Sequence, residues 1–226
     1  MKDSSPVNAG ILQEQIEILF RNAPTTYTIT LFNCLVVFFV LRDHIEADYI
    51  FFWFCSLAFL IVMRIFTISI YWRRTGELRR SQYYFYLYIL LMHCSAMVWS
   101  LLVYLPLTSE IVWMHAFISF VIAGMSAGAM VTLSASLMAS IPYLILILVP
   151  FCYYFMAFNT PPHQGMSIMA GLYLLLLIRL AFQINRNTKS AITTRFENEE
   201  LYQFLKKASR DVFVEFLEKS KQNTHR

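Results

Sequence analysis

The sequence predicts an all-α polytopic membrane protein: six transmembrane helices set between an N-terminal amphipathic helix and a C-terminal cytosolic helix of signalling type. Three observations carry that prediction. From Thr25 to Phe182 the 226-residue chain is almost continuously apolar, interrupted only by short charged or proline-containing gaps. Roughly 20 apolar residues at 1.5 Å each cross a bilayer core. Hydrophobic residues make up 58% of the chain and charged residues 14%, against about 25% charged in soluble domains, which excludes a large soluble core. Finally, ten of the 18 lysines and arginines lie between Arg179 and Arg226. That asymmetry reads as a topology signal rather than a nucleic-acid patch.

Residues 1–24 form a cytosolic segment in which Leu12, Ile16, Leu19 and Phe20 recur at helical spacing, with Gln13, Glu14 and Glu17 on the other side. This pattern predicts an amphipathic helix on the inner leaflet or beneath the bundle, in a structural rather than a partner-binding role. No cleavable signal peptide is visible before the first apolar run, so the first span is expected to direct insertion. The bundle, residues 25–182, divides into Thr25 to Leu41, Tyr49 to Tyr71, Tyr83 to Leu105, Ile111 to Leu133, Ile141 to Phe158 and Met166 to Phe182. The first, fifth and sixth are short but still reach across, with little tilt.

The gaps orient the spans. Between the second and third, Arg73, Arg74, Arg79 and Arg80 crowd into one short stretch, and the segment after the sixth is equally basic. Opposite gaps carry Asp43, His44, Glu46 and Asp48 beside one Arg42, then Glu110, then Asn159 to Gly165 without lysine or arginine. Positive charge lies inside, so both termini are expected in the cytosol. Trp53, Trp72, Tyr83, Tyr84, Trp113, Tyr153 and Tyr154 read as interfacial belts.

Polar residues within spans are costly in hydrocarbon and so mark candidate sites. Arg64 lies about 10 Å from the inner end of its span, where it either snorkels to the headgroups or joins His93, Ser95 and Asn33 in a polar pocket. Arg179 lies near the end of span six and snorkels. His93 and His115 differ in depth by about 12 Å and cannot ligate one haem. His44, His163 and His225 fall in gaps or the tail, and no metal or cofactor site is expected. Cys34, Cys55, Cys94 and Cys152 are scattered inside spans as small apolar fillers. Gly124 and Gly128 sit in a small-residue stripe that predicts close helix packing within the bundle, ahead of a dimer seam. Pro142 and Pro150 either kink span five to open a cavity or shape the bundle.

The third segment, residues 183–226, contains no Gly or Pro from Ser190 to Gln222, so one helix is expected to run out of the membrane. Leu201, Leu205, Ala208 and Val212 form an apolar seam, with Phe204 and Phe216 beside it and Glu199, Glu200, Lys206, Lys207, Arg210 and Glu218 flanking. This is a short coiled coil or docking helix, and a parallel homodimer or a protein partner is its expected occupant.

Here the chain resembles a known family. The order of a short cytosolic helix, six spans and a helix containing Arg195-Phe196-Glu197-Asn198-Glu199-Glu200-Leu201 is similar to the N-terminal membrane sensor module of bacterial sensor histidine kinases and diguanylate cyclases. Arg21-Asn22-Ala23-Pro24, Arg64, Trp99 followed by Pro106, and Pro142 with Pro150 extend the likeness. The resemblance implies a sensory or adaptor role in two-component-type signal transduction. Family members continue into an enzymatic output domain, whereas Ala208 to Leu217 contains no phosphoacceptor histidine and no cyclase motif or ATP-binding loop follows. The expectation is therefore a non-enzymatic module that passes its signal to a separate partner. A small permease using Arg64 and His93, or a scaffold subunit, is the alternative; the lack of an internal repeat weighs against transport.

Overall fold

The computed structural model describes residues 6–73, 82–105, 112–158 and 160–224, with side chains for 10–73, 83–105, 112–158 and 160–210. The expected basic gap from Arg74 to Arg80, together with Pro106, Glu110, Ile111, Asn159 and His225, lies outside the described residues, as do the side chains of Val212, Phe216 and Glu218.

The chain is an all-α polytopic membrane protein, with six helices among the described residues long and apolar enough to cross a bilayer. They are α1 (Pro6–Leu41), α2 (Ala47–Arg73), α3 (Gln82–Ser100), α4 (Val112–Leu133), α5 (Leu137–Met156) and α6 (Pro161–Thr224), with a short 3₁₀ turn, Leu101–Tyr104, after α3. Two compact units divide it, residues 1–186 and 187–226.

Because most positions of each span are apolar all round, hydrophobic periodicity is weak and small polar details decide which face turns inward. On α2 the buried residues Ile50, Trp53, Leu57, Ile61, Arg64, Ile68 and Tyr71 recur every three or four positions. They form one inward stripe, and Arg64 belongs to it. Opposite faces present Phe52, Phe59 and Phe66 outward, as lipid contact requires.

The expected N-terminal segment and first span are one helix. Pro24 lies inside α1, where its missing N–H and ring would interrupt the ladder. Beside it, threonine hydroxyls bond back to carbonyls one turn earlier: Thr26 donates to Asn22 O at 3.2 Å and Thr28 to Pro24 O at 3.1 Å. Ile16, Leu19 and Phe20 are buried with the core rather than laid on a surface. Phe20 meets Tyr71 edge-on at 4.5 Å and Tyr88 at 5.2 Å.

Helix α1 packs on α2, α2 on α3, α3 on α5, α5 on α4 and α4 back on α1, closing a five-helix ring. Its interior is filled by large side chains such as Trp99, Tyr71, Tyr88 and Phe20. Trp53 and Trp99, 5.2 Å apart and edge-on, link α2 to α3, and the Trp53 indole donates to Val98 O at 2.9 Å. Trp53 is therefore a core residue rather than a belt residue.

Helix α6 stands outside the ring. In its spanning window 17% of residues are buried, against 28–50% in the other five. Discrete polar contacts hold it: Ser167 donates to Cys152 O at 2.8 Å, Tyr173 to Ala123 O at 2.9 Å, and Asn185 to Ser134 O and Ala135 O at 3.1 and 2.8 Å. Gln15 of α1 donates to the same Ala135 carbonyl at 2.6 Å, so the α4–α5 turn is clasped from two helices. Asn185→Leu leaves a buried carbonyl without its donor. The expected cost is about 1–3 kcal/mol, read as a lower unfolding midpoint of the detergent-solubilised protein.

Candidate functional site

The inward stripe of α2 brings Arg64 into the ring, where it is 1% exposed. It does not snorkel. Its guanidinium lies over the ring of Tyr27 from α1 at 4.8 Å and that of Tyr88 from α3 at 5.5 Å. These cation–π contacts offset part of the cost of a buried charge. Nε and Nη2 of Arg64 nevertheless have no hydrogen-bond partner, and neither do the Trp99 indole nitrogen and the Tyr27 hydroxyl.

A cavity of about 40 Å³ lies at this arginine. Thr26 and Thr30 of α1, Ser95 and Trp99 of α3, Gly124 and Gly128 of α4, and Tyr143 of α5 contribute to its wall. It has room for about three water-sized groups.

Of the four residues expected in one polar pocket, the structure brings two together. Arg64 and Ser95 line the cavity, with the Ser95 hydroxyl donating to Leu91 O at 2.9 Å. His93 is two residues from Ser95, so helical geometry turns it to another face. Its Nε2 lies 3.3 Å from Ala139 O on α5. Asn33 instead reaches Met125 Sδ at 3.1 Å. Gly124 and Gly128 also depart from expectation. A Cβ built at either position meets nothing within 4 Å, so within the chain the stripe forms an open wall between α4 and α1 rather than a tight seam.

Two features escaped the sequence reading. Tyr88, Met92, Ser95 and Trp99 lie at i, i+4, i+7 and i+11 on α3, an inward stripe whose spacing was there to be seen. The second is a histidine pair. His163, expected in a gap, is in the first turn of α6 and buried; its Nε2 lies 2.9 Å from His115 Nδ1. Thr160 contacts His163 Nδ1, and the imidazole stacks on Phe158 at 4.6 Å. With Thr160 donating, the proton order runs hydroxyl to His163 and His163 to His115. Nothing in the sequence joins residues 48 positions apart. Among the described residues no three His, Cys, Asp or Glu side chains converge as a metal site.

In the second unit, Leu201 and Leu205 are 56% and 57% exposed, and Phe204 and Tyr202 lie open beside them. Ala208 is likewise exposed. Arg195 and Glu199 pair at 3.2 Å one turn apart on the surface, a contact worth about 0.3–0.5 kcal/mol.

Fold and cavity together define a class: a polytopic helical membrane protein with a buried arginine at an internal cavity. Compared with protein family models, curated proteins and solved structures, the chain matches none.

Proposed function

We propose that the chain is a membrane-embedded sensory or adaptor module of a bacterial inner membrane, with both termini cytoplasmic. It passes a signal through its C-terminal helix to a second copy or a separate partner. One observation carries the reading: α6 is the least buried spanning helix, seated on the core by one apolar stripe through Leu177 and Ala181 and by a few polar contacts, and its range extends to exposed Leu201, Leu205 and Ala208. A helix packed on one face only can slide against the others with fewer side chains to repack than a member of the ring. The resemblance to sensor modules of histidine kinases and diguanylate cyclases points the same way. The permease reading used the Arg64 and His93 region as one site, and His93 is not among the residues lining the cavity at Arg64.

The test is cross-linking in membranes. With Cys34, Cys55, Cys94 and Cys152 replaced by serine, Ala208→Cys is expected to form a disulfide-linked dimer under mild oxidation. Adding Leu201→Asp and Leu205→Asp should cut the yield about ten-fold or more by placing like charges in the seam, with the protein still in the membrane fraction. A yield unchanged by both aspartates would exclude the homodimeric form of the output.

A further inference from the structure

We infer that the cavity at Arg64 binds the carboxylate of a single-chain lipid, a long-chain fatty acid, whose alkyl tail leaves sideways between α1 and α4. This names an input for the signalling reading, but binding is measured without any output, so the two can fail separately.

The donor set points to a carboxylate. A buried arginine in hydrocarbon normally faces an acid or a ring of carbonyls. Here its Nε and Nη2 are both without partners. These two N–H groups run side by side on one edge of the guanidinium, the edge that pairs with a carboxylate in bidentate fashion. The indole N–H of Trp99, a residue of the same wall, is also without a partner. Tyr27 and Tyr88 lie against the guanidinium at 4.8 and 5.5 Å.

The cavity suits a small head group: about 40 Å³ accommodates a carboxylate, roughly the bulk of three waters. The tail needs an apolar exit at membrane depth. Gly124 and Gly128 are exposed and have nothing within 4 Å of a would-be Cβ, and they stand one turn apart, about 6 Å, along α4. Opposite them is Ile29 of α1, itself half exposed. Gly124, Gly128 and Ile29 thus border the cavity on its exposed side.

The experiment is equilibrium binding of radiolabelled palmitate to the purified full chain in uncharged detergent. Saturable binding at one site per chain is expected, weakened about ten- to hundred-fold in Arg64→Met, since hydrogen bonds to a charged group are lost. Gly128→Leu fills this exposed side and is expected to block palmitate without disturbing the fold, because open space surrounds that position. Sodium acetate and dioleoylphosphatidylglycerol serve as competitors, and neither should displace palmitate at equal concentration. Displacement by acetate would replace the proposal with a soluble-carboxylate site, and displacement by the phospholipid with a phosphate site. Palmitate binding unchanged in both Arg64→Met and Gly128→Leu would overturn it outright.

Discussion

Trp99→Ala is expected to lower stability by about 3–5 kcal/mol, the largest loss foreseen for any single side chain of the ring. In a membrane the unfolded reference is separate helices in lipid, so little hydrophobic transfer energy is at stake and packing decides the cost. Trp99 is fully buried and pairs edge-on with Trp53. Truncation leaves a void on the order of 140 Å³, and at about 24 cal/mol per Å³ that alone costs about 3 kcal/mol. Loss of the aromatic pair adds about 0.5–1.5 kcal/mol. Its indole nitrogen has no protein partner, so no hydrogen bond is lost. Reversible unfolding of the purified protein in mixed micelles measures the difference; a loss under about 1 kcal/mol would mean that the ring collapses around the gap.

Arg64→Met is expected to act in the opposite direction, raising the stability of the lipid-stripped protein by about 1–3 kcal/mol. Methionine is close to arginine in length and apolar, so the ring stays filled. What disappears is a buried charge with two unmet donors, and replacing such charges by apolar groups is often neutral or stabilising. Two cation–π contacts vanish as well, each worth about 2 kcal/mol when desolvated, which keeps the net gain small. A substantial loss on this substitution would make Arg64 a structural post. With palmitate near one hundred times its dissociation constant the gap should narrow by about 1–2 kcal/mol, because the Arg64 chain gains about 2.7 kcal/mol and a variant binding ten- to hundred-fold more weakly about 0.4–1.4 kcal/mol.

The two substitutions show how much of this molecule its sequence discloses. All six spans were legible, because each apolar run is long enough to cross a bilayer and polar punctuation separates it from the next. Helix ends were less so. The N-terminal segment and the first span, read as separate on either side of Pro24 and Thr25, are one helix that continues through the proline. Inward and outward faces were the hardest to read, since lipid and core select the same apolar side chains. Arg64 was recognised as costly, and only the spacing from Ile50 to Tyr71 reveals that it points inward. Glycine spacing misled for a related reason: Gly124 and Gly128 permit a helix to approach but do not require one, and here they border a cavity. The pairing of His115 with His163 depends on α6 returning beside α4, which no local pattern encodes.

The proposed link between palmitate at Arg64 and the C-terminal helix is tested most directly by cross-linking at Ala208→Cys, in vesicles, with and without palmitate. The rate of dimer capture is expected to change by about two-fold or more on adding palmitate when Arg64 is present, and to stay constant in Arg64→Met. Equal rates with and without palmitate in the Arg64 protein, at concentrations where binding is saturated, would contradict that link.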